Sequence, residues 1–391
     1  MTKFSNLVCS CFVACVFAAQ FGPTETQAQA PPGLAGSVQP FVEKQELAGA
    51  VMLVANKEKV LTVQAVGWED IAAKKPMTAD SIFWIASQSK PITAAALLVL
   101  VDEGKVKLDD PVEKYLPEFR GLMYIAEQDD GHKLLKKPTH PPTIRNVLSH
   151  TSGMSFSSAL EAPTLDALPL SLRVRSYALT PLEFDPDTAY RYSNAGINTA
   201  ARIIEVVTGT PFDKFLDERF FQPLGMPDAT FWPTAEQAAR IAKSYKAGEN
   251  NKGLQETTIG QLHYPLTDHV ERFPMPAGGL FATAHDLSRF YQMLLNGGQL
   301  DGKRYLSEAA VKELTTRQTP ATMKESYGLG FGVSNTTFGH GGAYSTNTTA
   351  ETDKGLILIW LVQHASFPGE GNQSQDMFRN AAHAAFSPLK K

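Results

Sequence analysis

The feature that most constrains this chain is an apolar run at residues 92–101, preceded by Pro91 and followed by Gly104. From residue 94 to 101 the side chains are apolar almost all round, and a helix without a polar face has to lie in a core. Gly104 is placed as a helix stop would be. The run therefore predicts a buried helix, whose N-terminal end is a rigid and water-poor position.

Ser87 and Lys90 stand at that N-terminal end. Residues three apart share one face of a helix, so the lysine amine can lie beside the serine hydroxyl. A serine becomes a useful nucleophile when a neighbouring base, such as a desolvated lysine, takes its proton. The spacing alone is weak, because a chain of this length contains about one S-x-x-K by chance. Residues 387–390 also match, in a polar C-terminal setting.

The N-terminus predicts an exported protein, periplasmic or secreted. Lys3, an apolar stretch at 7–19 and Ala28-Gln29-Ala30 fit a cleaved signal peptide over residues 1–30. An uncleaved membrane anchor and a lipid-modified Cys15 are alternatives. All 3 cysteines fall in this segment, so the mature chain is expected to have no disulfide, no thiol nucleophile and no thiolate metal site.

The 391 residues, 43% of them hydrophobic, suffice for one or two domains. The formal charge of −4 and the lack of any Lys- or Arg-rich run argue against a nucleic-acid partner. Among the histidines, no metal-ligand spacing is visible, so no metal and no cofactor is predicted.

β-rich runs lie at both ends of the chain, and short helical pieces dominate its middle. This order predicts an α/β fold, in which an antiparallel sheet is flanked by helices and a mostly helical domain is inserted. The predicted α/β domain is discontinuous, from 31–104 and 276–391, and the helical domain covers 105–275. Predicted strands are 49–55, 60–68, 123–128, 132–135, 327–333, 336–340, 347–351 and 355–363. Predicted helices are 37–46, 197–208, a helix capped at Thr210-Pro211, 284–296 and 376–386.

Two further motifs each occur once, Tyr192-Ser193-Asn194 and His340-Gly341-Gly342. With Ser87 and Lys90, their order resembles the penicillin-recognising serine hydrolases: class C β-lactamases, DD-carboxypeptidases, D-aminopeptidases and family VIII esterases. The resemblance extends from about residue 36 to the C-terminus. Framework sequences that share it are 104–112 (GKVKLDDPV), 148–154 (LSHTSGM), 223–226 (PLGM) and 278–280 (GGL). It implies the β-lactamase/transpeptidase-like fold.

The resemblance also implies roles for the site residues. Ser87 would be the acylated nucleophile and Lys90 would hold or relay its proton. Tyr192 would be the general base, as a phenolate or through Lys90, and nearby cations would have to lower its pKa of about 10. Asn194 would orient the substrate carbonyl. The amides of Ser87 and Ala343 would form the oxyanion hole.

His340, Gly341 and Gly342 would line the substrate cleft, the glycines letting a substrate approach the backbone closely. Class C β-lactamases carry lysine where His340 stands, and a histidine is only partly charged near neutrality. This difference disfavours an efficient β-lactamase. His150 lies within one of the framework sequences, but a structural role is favoured for it.

These observations predict an exported, metal-free serine hydrolase that works through an acyl-enzyme on a small-molecule or peptide substrate. Esters or amides of peptide-like or β-lactam-like shape fit, with an esterase or a D-amino-acid peptidase ahead of a true β-lactamase. A sensor or binding protein that is acylated without turnover is the alternative from another class. The sequence predicts no oligomeric state.

Overall fold

A computed structural model describes residue 1 and residues 33–387 of the chain. The predicted signal peptide, apart from residue 1, lies outside the described residues together with its three cysteines, and so do residues 388–391. In the described part of the chain, no helix is both long and apolar enough to cross a membrane.

The centre of the fold is an antiparallel sheet built from both ends of the chain. The described strands are β1 (Gly49–Ala55), β2 (Val60–Asp70), β3 (Lys75–Pro76), β4 (Phe83–Trp84), β5 (Tyr124–Gln128), β6 (Lys133–Lys136), β7 (Ser244–Ala247), β8 (Leu254–Thr257), β9 (Phe281–Ala282), β10 (Gln299–Leu300), β11 (Lys303–Arg304), β12 (Gly332–Val333), β13 (Thr337–Gly341), β14 (Asn347–Glu351) and β15 (Leu356–Leu361). Seven of them form the main sheet in the order β12-β13-β14-β15-β1-β2-β3, and every pairing is antiparallel. The other strands pair in twos.

Helices cover the sheet and supply the middle of the chain. They are α1 (Leu34–Glu43), α2 (Ser89–Asp102), α3 (Ile144–Ser149), α4 (Leu170–Ala178), α5 (Asn194–Thr208), α6 (Phe212–Leu216), α7 (Gln222–Leu224), α8 (Ala235–Ala238), α9 (Ala284–Leu295), α10 (Glu308–Thr315) and α11 (Ser374–Phe386). A 3₁₀ turn, Ala86–Gln88, leads directly into α2.

The sheet is buried on both faces, which explains the continuous apolar sequences of β1 and β15. Alternate residues of a strand point to opposite faces. Met52 packs into a core with α1 and α11, whereas its neighbour Leu53 joins the larger core that contains α2 and α9. Helix α2 is buried along almost its whole length, as its uniformly apolar sequence predicts. The predicted α/β class, with an antiparallel sheet flanked by helices, is confirmed; the division into two domains stays a prediction.

Most of the predicted strands and helices lie within a few residues of an observed element. The β1–β2 hairpin turns at Asn56, whose side chain accepts hydrogen bonds from the amides of Glu58 and Lys59 at 2.9 and 2.8 Å. Helix α9 begins with the capping box of Thr283 and Asp286. The prediction of a side-chain cap at Thr210 is wrong, because Pro211 occupies the N-cap position of α6 without any side-chain hydrogen bond.

The strand predicted over 327–333 is wrong for most of its length, since only Gly332 and Val333 join the sheet. Gly330 has φ +76°, and a Cβ there would lie 2.8 Å from the carbonyl oxygen of Lys90. The segment therefore leaves the extended conformation in order to pack its backbone against the start of α2. Gly330, three residues after Tyr327, thereby lies against the N-terminal end of that helix.

Candidate active site

Ser87 lies in a strained turn at the start of α2. The preceding residue, Ala86, is buried and has φ +48°, a left-handed conformation that costs a non-glycine residue about 1–2 kcal/mol. The turn is held from both sides: the amide of Ile85 donates to the carbonyl of Leu280 at 3.0 Å, and the Ser89 hydroxyl donates to the carbonyl of Ala86 at 2.7 Å. Strain that its surroundings fix in this way is typical of functional positions.

Lys90 is fully buried, and its Nζ has three polar neighbours. Asn194 Oδ1 lies at 2.8 Å, the carbonyl oxygen of Ala277 at 2.7 Å and Ser87 Oγ at 3.1 Å. The first two oxygens can only accept, so they take two N–H groups of the amine. A neutral amine has two hydrogens and one lone pair, and the lone pair then faces the serine hydroxyl.

Burial lowers the pKa of the Lys90 amine well below its ordinary value of 10.5. Desolvation disfavours the charged form, and the described residues place no carboxylate in contact with the amine that would restore it. The direction of this shift favours the neutral amine, which is the form that can accept a proton from Ser87, and the two carbonyl oxygens leave the third position of the amine to that hydroxyl.

Tyr192 and Asn194 are presented by the start of α5. Ser193 caps that helix: its hydroxyl oxygen accepts from the amide of Gly196 at 3.0 Å. The Tyr192 ring lies 4.6 Å from Lys90 Nζ, and its hydroxyl is near enough to Ser87 for that residue to lower its pKa. Burial raises the pKa of Tyr192, and the Ser87 contact offsets this only in part. The expectation that nearby cations lower this pKa is wrong, because burial is the largest effect on it and raises it.

His340 sits on β13 with both ring nitrogens occupied. Nδ1 lies 2.6 Å from the carbonyl oxygen of Gly341 and must donate to it, so Nε2 is an acceptor. Nε2 faces the hydroxyl of Tyr327 at 2.9 Å and, more distantly, that of Tyr192 at 3.5 Å. Burial, together with Lys90, lowers the pKa of His340 to about 3. The expected partial charge near neutrality is therefore wrong, and His340 is a neutral acceptor.

The two glycines that follow His340 differ in their surroundings. A Cβ on Gly342 would lie 2.5 Å from the carbonyl oxygen of Ile85, so this glycine lets the strand end pack against the turn that carries Ser87. A Cβ on Gly341 would meet no atom closer than 3.5 Å, which leaves room beside its backbone. Close approach to a substrate is thus an interpretation for Gly341, whereas Gly342 is required by packing. The oxyanion hole of Ser87 and Ala343 stays a prediction.

Sequence reasoning missed Tyr327, which joins the site through His340. Its ring also packs against His150, with the centroids 4.7 Å apart, and His150 lies equally close to Tyr192 at 4.6 Å. His150 is buried, and its Nδ1 accepts from the amide of Ser193 at 3.2 Å. The available signal was the glycine spacing after Tyr327, since Gly328 and Gly330 mark a backbone that approaches another element closely.

A cleft of about 370 Å³ runs from Tyr192 and His340 along the neighbouring strands. None of the nine described residues that line it is Lys, Arg, Asp or Glu. They are Tyr192, Tyr327, Gly332, Thr337, Gly339, His340, Gly341, Asn347 and Thr349. Because His340 is neutral as well, this side of the site offers hydrogen bonds and bare backbone but no cation.

Comparison with known proteins gives relatives along most of the chain. Protein Rv1367c of Mycobacterium tuberculosis is 34% identical over 369 residues, which cover 85% of this chain and 90% of that protein. Esterase EstB of Burkholderia gladioli is 33% identical over 223 residues, 53% of each chain.

Among solved structures, EstCE1, described as a hydrolase with promiscuous acyltransferase activity, matches with a TM-score of 0.74. The match covers 90% of this chain and 97% of EstCE1 at 23% identity, and it shows a shared fold. The family model described as Beta-lactamase matches residues 34–379, which contain Ser87, Tyr192 and His340. The chain therefore belongs to the Beta-lactamase family, whose members are generally serine hydrolases.

Proposed function

We propose that this protein is an esterase that hydrolyses uncharged esters through an acyl-enzyme on Ser87. The observation that carries the proposal is the environment of Lys90, whose two N–H groups are taken by carbonyl oxygens while its third position faces Ser87 Oγ at 3.1 Å. A buried, neutral amine in that position is the base that a serine nucleophile needs. EstB and EstCE1 are named an esterase and a hydrolase, which supports the reaction class.

The proposed acylation step follows from these contacts. Ser87 Oγ bonds to the acyl carbon of the ester while its proton passes to Lys90. Tyr192, a neutral phenol beside Ser87, donates its proton to the departing alkoxide as the C–O bond breaks. Lys90 then returns the proton to Tyr192, whose ring lies 4.6 Å from the amine, so that the neutral amine and the phenol are both restored. A water molecule then attacks the acyl carbon and gives a proton to Lys90. Lys90 passes that proton to Ser87 Oγ as the bond between Oγ and the acyl carbon breaks, so Ser87 is restored and the acid is released.

The choice of uncharged substrates rests on the cleft beside His340. Substrates such as β-lactams and D-alanyl peptides carry a carboxylate, which needs a cation or several strong donors when it is removed from water. None of the nine described residues that line the cleft is Lys or Arg, and the pKa of His340 is lowered to about 3. A neutral ester avoids that desolvation. We also propose export through residues 1–30, on the grounds of the sequence alone.

The test is a substrate panel run on the full chain, with Ser87→Ala as the control. We expect p-nitrophenyl butyrate to be turned over with a kcat/KM at least about 100-fold above those for nitrocefin and a D-alanyl dipeptide ester bearing a free carboxylate. Equal or better turnover of the acidic substrates would contradict the preference. A single burst without steady-state release would favour the acylated sensor, and unchanged activity of Ser87→Ala would overturn the nucleophile.

A further inference from the structure

The backbone of residues 274–280 forms a hydrogen-bonding surface, the polar bed, next to Ser87 and Lys90. The carbonyl of Ala277 accepts from Lys90 Nζ at 2.7 Å, and that of Pro276 accepts from the Thr93 hydroxyl at 2.8 Å. One residue further on, the carbonyl of Gly278 accepts from Trp84 Nε1 at 2.7 Å. Trp84, which precedes Ser87, and Lys90 and Thr93, which follow it, thus bond to three consecutive carbonyls. The position of these carbonyls sets the position of the Lys90 amine.

Asn198 holds the same bed from the other side. It is fully buried on α5, one turn after Asn194, so the two amides share a helix face. Asn194 bonds to the Lys90 amine directly, whereas Asn198 Oδ1 accepts from the amide of Ala277 at 3.0 Å. The peptide of Ala277 is therefore fixed at its N–H by Asn198, and its carbonyl is presented to Lys90.

The amide nitrogen of the Asn198 side chain is hydrogen-bonded as well. Its Nδ2 donates to the Tyr177 hydroxyl at 2.9 Å, and Tyr177 donates to Glu161 Oε1 at 2.9 Å. Glu161 lies 3.4 Å from Arg173, which donates to the carbonyl of Pro274 at 2.9 Å. The chain of contacts starts at Ala277 and returns to residue 274. It closes a buried ring around the bed, and the polar groups of Asn198 are satisfied within it.

We propose that Asn198 is a positioning residue for Lys90. It fixes the Ala277 carbonyl that takes one amine hydrogen, keeps the lone pair of the amine directed at Ser87, and excludes water from beneath the amine. This inference rests on the proposed role of Lys90 as the base. Removing Asn198 leaves the Ala277 amide without its partner and opens space that water can enter, and water stabilises the charged form of the lysine.

The other titratable groups near Lys90 do not mask the expected change in its protonation. Burial raises the pKa of Tyr192 and lowers those of His150 and His340, so all three stay uncharged near neutrality. Beyond Asn198, burial raises the pKa of Tyr177 as well. The charged groups of the ring, Glu161 and Arg173, offset each other and are separated from Lys90 by two neutral side chains and a peptide.

The experiment measures the rate at which a fluorophosphonate labels Ser87 as a function of pH, together with ester hydrolysis. In Asn198→Ala we expect the acid limb of both profiles to move up by about one pH unit, because a better hydrated Lys90 binds its proton more tightly. At neutral pH the kcat should fall about tenfold with KM changed less than about twofold, since the base and not the substrate is displaced. Tyr177→Phe, which deletes one oxygen, should give a smaller shift in the same direction.

The matched control is Gln292→Ala. Gln292 is another buried helical amide, and its Nε2 donates to the carbonyl of Asn56 at 2.9 Å, so its hydrogen bond is outside the ring of contacts around residues 274–277. It should lower stability without moving the acid limb. An unmoved acid limb in Tyr177→Phe, or in a folded Asn198→Ala, overturns the inference and leaves the proposed function intact. Failure of the wild-type protein to label at Ser87 instead removes the proposed function itself.

Discussion

Replacing His340 with glutamine should make the folded protein less sensitive to acid. The His340 ring donates from Nδ1 to the carbonyl of Gly341 and accepts at Nε2 from Tyr327, so a second ring proton has no acceptor left. Glutamine keeps an oxygen that can accept from Tyr327 but cannot be protonated. The substitution therefore removes the titration while leaving the hydrogen bond to the phenol available.

The size of the effect follows from the two pKa values. In the unfolded chain a histidine has a pKa of about 6.5, whereas in the folded protein that of His340 is lowered to about 3. Between these values the unfolded chain binds a proton that the folded protein does not, so the stabilisation is complete above about pH 6.5 and declines as the pH falls. At about pH 5 the loss is RT ln(1 + 10^1.5), or ~2 kcal/mol. His340 is partly exposed to the cleft, but a folded pKa of about 4 changes the result by less than ~0.1 kcal/mol.

The assay is equilibrium urea unfolding at about pH 7.5 and about pH 5 for both proteins. The free energy of unfolding of the wild type should fall between these pH values by ~2 kcal/mol more than that of His340→Gln. The other buried histidines, including His364 with its pKa lowered to about 4, titrate equally in both proteins and cancel. His132, whose side chain is 88% exposed, supplies the control His132→Gln, which should lose as much as the wild type. An equal loss in His340→Gln would show that His340 is already protonated, or free to become so, in the folded state.

Three further perturbations separate the roles of the site residues. Tyr192→Phe should slow hydrolysis of an alkyl ester by about 10²–10⁴, measured as kcat/KM. Hydrolysis of p-nitrophenyl butyrate should slow far less, because p-nitrophenolate leaves without a proton. Equal losses for the two esters would mean that Tyr192 does not protonate the leaving group. Gly342→Ala should lower the melting temperature and abolish labelling of Ser87, since its Cβ would lie 2.5 Å from the carbonyl oxygen of Ile85. Gly341→Ala should fold normally and serves as the control. A stable, active Gly342→Ala would refute the packing argument. His340→Lys should raise the ratio of nitrocefin to p-nitrophenyl butyrate turnover, most clearly above about pH 7.5, by adding a cation; a constant ratio would place that side chain away from the substrate.

The sequence predicted best where a local pattern decides the structure. The uniformly apolar run of α2 contains its own physical cause, and the helix lies where it was predicted. Helix α9 and the strands β1 and β2 also lie within a few residues of their predicted ranges, and the structure shows a local cause for each in the Thr283 capping box and the Asn56 turn. Ser87 and Lys90 were found because their contact follows from spacing along one helix. Tyr192, Asn194 and His340 needed the resemblance, because the fold brings them to Ser87 from distant parts of the chain.

The electrostatics of the site could not be predicted from residue types. A lysine beside a tyrosine suggested a cation that lowers the phenol pKa, and a histidine in a cleft suggested a partial charge. Both inferences fail for one reason: Lys90 and the ring nitrogens of His340 are withdrawn from water, and desolvation acts through three-dimensional burial. Tyr327 escaped notice for a related reason, since its contact with His340 depends on a non-extended turn that Gly330 permits.

The neutrality of the site and its rigidity have a common origin. A carboxylate in contact with Lys90 would fix the amine firmly, but it would also favour the ammonium form and remove the base. The residues around the amine avoid this by using amides, a phenol and peptide groups: Asn194 and Ala277 bond to Lys90, and Asn198 and Tyr177 brace them. The Glu161–Arg173 pair stands behind these neutral groups, where it anchors α4 to the bed without direct contact with the base. Asn198→Asp places a carboxylate closer to Lys90 than Glu161 is. In a variant that still folds, it should therefore raise the pH needed for activity, and the pH profile of Ser87 labelling measures this shift.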